Sequence, residues 1–288
     1  MNPSPTPTPT PTPDDSHYLH GSSPAEQDRL AKMNEMMNGL ALKEMALRVG
    51  ESVLDVGSGL GQLTRGMARQ VGSGTKVVGI ERSDDQLREA RRFAAKAGET
   101  ALVDFRQGDA NALPLKPEEW GTFDVAHTRF VLEHVRDPLG VVNQMVQAVR
   151  PGGRIILEDD AHDIFRVWPV SPGFDRIWNN YIRTYDRVGN DPIVGHRLVS
   201  LLHQAGALPQ RNTWLFFGAC AGQPELFHRC VENIVGILLG VREPILKLGD
   251  FDEISFDRCI ASFREWGQRP DAAMWYGISW VEGLRGSQ

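Results

Sequence analysis

Two kinds of residue in the first third of the chain are spaced for binding chemistry. Glycines let a backbone close on a ligand, and carboxylates stand where they could receive hydroxyl hydrogens. Val53 to Thr64 reads Val-Leu-Asp-Val-Gly-Ser-Gly-Leu-Gly-Gln-Leu-Thr, an apolar strand running into a turn and a helix start. Gly57, Gly59 and Gly61 remove side chains where the turn must bend and where a ligand must approach the main chain. Glu81 ends a second apolar run, Lys76-Val77-Val78-Gly79-Ile80-Glu81, where a carboxylate accepts hydrogen bonds from both hydroxyls of a ribose. The pairing points to a nucleoside-containing cofactor. A dinucleotide fingerprint, G-x-G-x-x-G, needs glycine at position 62, where this chain has Gln62, so a pyrophosphate reading is weakened.

The elements that must position these residues follow from the apolar runs. Val103 to Phe105 reads as a third strand with Gly108-Asp109-Ala110 at its end, where Asp109 could accept the adenine amino group. Phe123 to Ala126 reads as a fourth strand, followed by His127 to Pro138, and Arg150-Pro151-Gly152-Gly153 turns into a fifth strand, Arg154 to Leu157. Helices are expected near 60–71, 84–97 and 137–150. This alternation predicts right-handed crossovers and an α/β fold with a mainly parallel sheet and helices on both faces. Beyond Asp160, Phe174, Ile177, Trp178, Tyr181, Ile182 and Tyr185 recur at helical spacing. A further helix is expected over 192–206, a sixth strand near 211–219, two apolar helices near 223–241 and 255–267, and an antiparallel seventh strand at 274–281. The apolar surplus between strands six and seven suits either a larger pocket or a dimer surface.

Over about residues 45–210 the chain resembles a class I S-adenosylmethionine-dependent methyltransferase. The resemblance is carried, in order, by Leu54-Asp55-Val56-Gly57-Ser58-Gly59-Leu60-Gly61, Glu81, Gly108-Asp109-Ala110, Leu113-Pro114, Phe123-Asp124, Leu132-Glu133-His134-Val135-Arg136-Asp137-Pro138 and Arg150-Pro151-Gly152-Gly153. It is similar to the broad group around the ubiquinone/menaquinone-biosynthesis methyltransferases, whose acceptors are mostly small molecules. The quinone enzymes proper usually carry Arg-Asn where this chain has Glu133-His134, so a quinone acceptor is not implied.

The resemblance implies a Rossmann-like, seven-stranded fold, S-adenosylmethionine as cofactor, and methyl transfer to a small, partly apolar acceptor of aromatic, polyketide-like or terpenoid-like character. It implies cofactor contacts from Asp55, Gly57, Ser58, Gly59, Gly61, Glu81, Arg82, Gln86, Asp109, Ala110, Thr128 and Arg129. Tyr18 is expected to reach the methionine end from an N-terminal segment. Asp55, buried at a strand end, needs partners, expected among the loop N–H groups. An inward Arg129 would hold a carboxylate or an anionic acceptor, since a guanidinium repels a sulfonium. His134 is the candidate general base, with His127, Asp159, Asp160 and His162 as rivals and a structural histidine as the alternative. Trp178 and Tyr181 are expected in the acceptor wall. A dinucleotide-dependent oxidoreductase and a catalytically silent cofactor-binding protein are the competing readings, the first disfavoured by Gln62 and Asp109.

Composition narrows the class further. Of 288 residues 41% are apolar and 24% charged, which suits one domain with elaborations, and the net charge of −6 gives no footprint for tracking nucleic acid. Cys220, Cys230 and Cys259 are odd in number without C-x-x-C spacing, so neither a disulfide framework nor a metal site is expected, and a reducing cytoplasm fits. The longest apolar stretch, Ile234 to Val241, is too short for a membrane span.

Residues 1–15 alternate Pro with Thr or Ser and are expected to form an extended, solvated tail. Residues 16–44 are expected to form a helical cap, opening with a Ser23-Pro24-Ala25-Glu26 start signal. Residues 45–288 are expected to form the methyltransferase domain, with acceptor-side insertions at about 161–190 and 220–270. Truncating residues 1–14 should leave the melting temperature and cofactor affinity unchanged, because the tail has no apolar surface to bury. A calorimetric melting curve shifted down by several degrees would contradict that expectation.

Overall fold

The computed structural model describes residues 37–187 and 189–286, apart from the side chain of Arg187. The Pro/Thr tail, the start of the helical cap and Tyr18 lie outside the described residues. Helix α1 covers residues 37–45 and puts Ala41 and Met45 against the sheet.

The strands are β1 (Val53–Val56), β2 (Val77–Glu81), β3 (Asp104–Gln107), β4 (Phe123–Arg129), β5 (Val149–Asp160), β6 (Arg166–Trp168), β7 (Ala207–Cys220) and β8 (Ala273–Arg285). They form a sheet in which β3, β2, β1, β4 and β5 are parallel neighbours in that order. The sheet continues through β8, antiparallel to both β5 and β7. All four residues of β1 are buried, as a central parallel strand covered on both faces requires. The helices are α2 (Gln62–Val71), α3 (Asp84–Lys96), α4 (Pro138–Ala148), α5 (Phe174–Thr184), α6 (Leu198–Gln204), α7 (Pro224–Gly240), α8 (Arg242–Leu246) and α9 (Glu253–Trp266).

Local signals fix several helix starts. Ser83 accepts a hydrogen bond from the Gln86 N–H to cap α3, with Asp84 and Asp85 in its first turn. Asp137 caps α4 through the Gly140 N–H, with Pro138 at its first position. These caps turn the chain away from the sheet just after β2 and β4, leaving both strand ends open.

Three expectations are corrected. Among the described residues the sheet has eight strands, one more than the seven expected. The extra strand, β6, pairs with Ala273–Trp275 of β8 in line beyond β5; three residues show no readable periodicity. β5 runs over Val149–Asp160 instead of starting at Arg154, because Phe123 pairs with Val149 and Val125 with Arg154, so Arg150–Gly153 form an irregularity inside the strand. The helix expected over 192–206 is a 3-10 turn, Val194–Arg197, followed by the short α6.

Two cores flank the sheet. Met67, Leu87, Ile156 and Trp280 lie on the α1–α3 face, and Val142, Met145, Leu198 and Leu202 on the α4–α6 face. A third core joins the two insertions, with Phe165, Phe174, Trp178 and Tyr181 packed against Phe227, Phe256 and Phe263. Much of the apolar surplus of α5, α7 and α9 is thus buried within one chain.

Beneath the carboxyl ends of the strands, three neighbours place charge side by side. Asp55 of β1 pairs in register with His127 of β4, and Asp55 Oδ1 lies 2.8 Å from His127 Nδ1. On the other side His127 Nε2 lies 3.5 Å from Glu158 Oε2 of β5. Burial works against the imidazolium, but the two carboxylates outweigh it and hold the His127 pKa above its ordinary 6.5. A raised folded-state pKa contributes stability that is complete below the unfolded value and is lost as pH rises through the folded one. Urea unfolding of wild type and His127→Asn should therefore differ more at about pH 6 than at about pH 9. An equal difference at both pH values would show that His127 is neutral in the fold.

Candidate active site

The glycine turn sits where β1 leaves the sheet. Gly57, Gly59 and Gly61 have φ of 81°, 53° and 70°, in the left-handed region that side chains disfavour. A Cβ on Gly57 would stand 2.2 Å from Val131 Cγ2, and one on Gly61 would stand 2.4 Å from Phe105 Cζ. Both are too close for any other residue. The turn is held to β2 by the N–H groups of Gly57 and Ser58, each 2.8 Å from the Ile80 carbonyl. Phe130, at φ 55°, bends the chain after β4 so that Val131 packs on the same turn.

Glu81, at the end of β2, accepts hydrogen bonds from Gly59 N at 2.9 Å and Ser83 N at 2.7 Å. Burial raises its pKa, partly offset by those backbone donors. Gln86 faces Gly59, its Oε1 3.3 Å from where a Cβ would be. Arg82 is exposed beside them. Asp109 accepts the Asn111 N–H at 2.7 Å with one oxygen, and Ala110 is half-buried next to it. Ser58 Oγ and Gln62 Oε1 are buried polar atoms with no hydrogen-bond partner among the described residues. Orphaned polar atoms, glycines without room for a Cβ and a carboxylate at a strand end together fit the demands of a nucleoside.

Other expected contacts resolve differently. The carboxylate of Asp55 is satisfied by His127 and by the Thr64 hydroxyl, which donates to Asp55 Oδ2 at 2.5 Å, rather than by loop N–H groups. The reason is the register that sets His127 beside it. Thr128 is fully buried and donates its hydroxyl to the Val56 carbonyl at 2.9 Å. Arg129 donates to Asn38 Oδ1 on α1 at 2.7 Å and lies 3.9 Å from Glu158.

A second polar centre lies beyond β4 and β5. His162 Nε2 lies 2.9 Å from Glu133 Oε2 and 3.1 Å from the Tyr185 hydroxyl, while His162 Nδ1 lies 2.8 Å from the Tyr276 hydroxyl. Tyr181 adds its hydroxyl 2.8 Å from that of Tyr185, and Trp178 donates its indole N–H to the His162 carbonyl at 2.7 Å. Trp178 and Tyr181 are thus buried in one cluster with this centre. His134 Nε2 lies 3.3 Å from Glu133 Oε1, and its ring stacks on Tyr185 at 6.1 Å. Asp159 receives the Val131 and Leu132 N–H groups at 3.1 and 2.8 Å, tying the loop after β4 to β5. Burial and the neighbouring Glu133 and Asp160 push the Asp159 pKa well up. Burial likewise raises Asp160, with the nearby His162 opposing.

Sequence reasoning did not single out Glu133 or Tyr276 as site residues. Glu133 stood inside the motif that carried His134, and Tyr276 comes from the last strand, 114 positions from His162. Only the antiparallel return of β8 brings it in.

The comparisons with known proteins agree with this geometry. A family model described as a methyltransferase domain matches residues 47–168. The ubiquinone biosynthesis O-methyltransferase of Ralstonia nicotianae is 39% identical over 204 residues, 70% of this chain and 81% of that protein. The demethylmenaquinone methyltransferase of Lactococcus lactis is 31% identical over 139 residues, 48% of this chain and 53% of that one. The chain spans only about half the length of several other curated relatives, such as 52% of the Marinomonas ubiquinone/menaquinone C-methyltransferase. Among solved structures, the YcgJ protein of Bacillus subtilis aligns with TM-score 0.57 at 19% identity, covering 88% of this chain and all (100%) of that one. A geranyl diphosphate methyltransferase bound to GPP and sinefungin aligns with TM-score 0.52 at 14% identity, covering 87% and 78%. The oxidoreductase alternative is set aside by this kinship. A glycine turn at the end of β1, a carboxylate at the end of β2, the parallel sheet around them and a close relative matched over most of its length place this chain in the class I S-adenosylmethionine-dependent methyltransferase family.

Proposed function

We propose that this protein transfers the methyl group of S-adenosylmethionine to a small, partly apolar organic acceptor of aromatic, polyketide-like or terpenoid-like character. The observation that carries this reading is that two unlike centres are joined at one end of the sheet by the loop after β4, whose Val131 packs on Gly57 two residues before Glu133. One is the glycine turn with Glu81; the other is the tyrosine- and histidine-lined cluster around Glu133.

In this reading the cofactor supplies a methyl group already activated on a sulfonium. The protein's work is to bind, align and exclude water. Glu81 takes the ribose hydroxyls, exchanging its present Gly59 and Ser83 contacts in part for them. Gly57, Ser58, Gly59 and Gly61 provide the close backbone approach, while Arg82 and Gln86 flank the base and Asp109 with Ala110 closes its far side. Asp55 acts through position, holding the turn by way of Thr64 and His127. Thr128 and Arg129 sit at the end of β4 toward the methionine portion, with Arg129 oriented by Asn38. Tyr18 would complete the cover over the methionine end. On the acceptor side, His134 is the group placed to accept a proton, and Trp178 and Tyr181 back the wall that orients the acceptor. Among the described residues no helix is long and apolar enough to cross a membrane. A cytoplasmic setting, a small-molecule acceptor without nucleic acid, and a homodimer remain parts of this proposal.

A second reading deserves its own test, because a [4+2]-cyclase shares this fold at TM-score 0.54 and 18% identity. The fold alone therefore does not dictate the reaction. Calorimetry with S-adenosylhomocysteine should give a binding isotherm that Glu81→Ala weakens about tenfold or more, since charge-assisted hydrogen bonds contribute about 1.5–3 kcal/mol. Unchanged affinity in a folded Glu81→Ala protein would remove Glu81 from the site.

The acceptor side is tested separately. His134→Ala should lower kcat on an acceptor identified by isotopic methyl labelling, and Trp178→Ala should raise its KM, both with unaltered S-adenosylhomocysteine affinity. Wild-type turnover in both variants would move the acceptor elsewhere.

A further inference from the structure

The buried carboxylates of this protein are matched to partners almost everywhere they occur. Glu119 receives Arg106 in a two-pronged pair at 2.6 and 2.9 Å with Lys76 at 3.3 Å, and Asp55 has His127 and Thr64. The centre beyond β4 and β5 differs in setting three buried carboxylates, Glu133, Asp159 and Asp160, close enough to repel one another. It gathers Glu133 and Asp160 with the imidazole of His162, all buried, and Asp159 stands next to Asp160 in β5. Asp160, itself 9% exposed, has a carboxylate oxygen, Oδ1, that is buried without any hydrogen-bond partner among the described residues. An excess of buried carboxylate is costly unless a cation answers it.

The geometry supplies a place for one. Glu133, Asp160 and His162 each offer a ligand atom, and these atoms all lie within 4.8 Å of one another. Small divalent ions hold oxygen and nitrogen at roughly 2.0–2.2 Å, which sets ligands at right angles about 3 Å apart and opposed ligands about 4.2 Å apart. Glu133 Oε2 and His162 Nε2, 2.9 Å apart, meet the first distance. Asp160 Oδ2 is 4.0 Å from His162 Nδ1, and a ligand atom of Asp160 falls within the same 4.8 Å group. The Tyr276 hydroxyl on Nδ1 fixes the imidazole so that Nε2 faces Glu133, the kind of outer contact that orients a ligating histidine. Asp159, spent on the Val131 and Leu132 N–H groups, holds the loop that carries Glu133 onto the strand that carries Asp160.

We propose that Glu133, Asp160 and His162 form a binding site for one divalent cation of the Mn2+ type. One imidazole with two carboxylates suits Mn2+ better than the softer ions that prefer thiolates, and better than Mg2+, which favours oxygen alone. Three protein ligands on a near-octahedral ion leave positions for water and for an acceptor oxygen. The cation would then hold a hydroxylated acceptor beside His134. That last step rests on the methyl-transfer reading, whereas the cation site itself does not.

The test uses the full chain, free of any affinity tag and stripped with a chelator, titrated with MnCl2 and followed by electron paramagnetic resonance. The expected result is one Mn2+ per chain with a dissociation constant of roughly 10 µM or tighter, and nitrogen modulation from one imidazole in the pulsed spectrum. Asp160→Asn and His162→Gln should each weaken binding by at least roughly tenfold while retaining a cooperative melting curve. S-adenosylhomocysteine binding is measured on the same samples, so a missing cation site and a missing cofactor site give different results. A free-ion signal undiminished by wild-type protein overturns the proposal. So does Mn2+ bound without nitrogen modulation, or bound equally well by Asp160→Asn.

Discussion

The arrangement of this molecule depends on a line of charge across three adjacent strands, Asp55 on β1, His127 on β4 and Glu158 on β5. All three side chains are buried, and a buried charge is tolerated only where a partner is held at bonding distance. The register of the parallel strands provides that hold, since Asp55 stands opposite His127 and the next neighbour, β5, carries Glu158 two positions past His127's own partner, Ile156. A slip of one residue would turn each of these side chains to the opposite face. The same register sets where β1 ends and the glycine turn begins.

From that line the end of the sheet divides into two electrostatic regions. On the β1–β2 side the polar groups are mainly backbone N–H donors, and the carboxylate of Glu81 is already met by two of them. Such a surface suits hydroxyl and amino groups of a neutral nucleoside. On the β4–β5 side carboxylates outnumber bases, and tyrosine hydroxyls ring a single imidazole. Desolvation there raises the pKa of both Tyr185 and Tyr276, so these hydroxyls stay protonated and serve as hydrogen-bond donors or acceptors rather than as charges. The two insertions enclose this second region by packing on each other, with Trp178 reaching from their shared core to the His162 carbonyl.

Much of the first region was legible from sequence because it is local. A strand, three glycines and a helix start fall within twelve residues, and Glu81 and Asp109 each close a strand of their own. Apolar runs likewise located β1, β2, β4, β7 and β8. What escaped was set by distance along the chain or by irregular backbone. Arg150-Pro151-Gly152-Gly153 read as a turn, yet pairing with β4 keeps it inside β5. Arg166–Trp168 forms a strand only because β8 extends past β5 and offers it an edge. Arg129 turned toward Asn38, a partner 91 positions away that no local pattern marks. The gathering of Glu133, Asp160, His162, Tyr185 and Tyr276 depends on segments far apart in the chain meeting; Asp160 and His162 stood out singly as possible bases, but no local pattern marks Glu133 and Tyr276 as their partners.

In the proposed function, two neighbouring regions at one end of the sheet carry a methyl group from cofactor to acceptor. The most direct test of this transfer is mass spectrometry of a metabolite extract incubated with the protein and S-adenosylmethionine bearing a trideuterated methyl group. A small, partly apolar metabolite should acquire the labelled methyl, and S-adenosylhomocysteine should form in equal amount. Both products should disappear with Glu81→Ala. Tight binding of the cofactor with no S-adenosylhomocysteine formed and no labelled metabolite, across extracts that contain aromatic and terpenoid compounds, would contradict the proposed function.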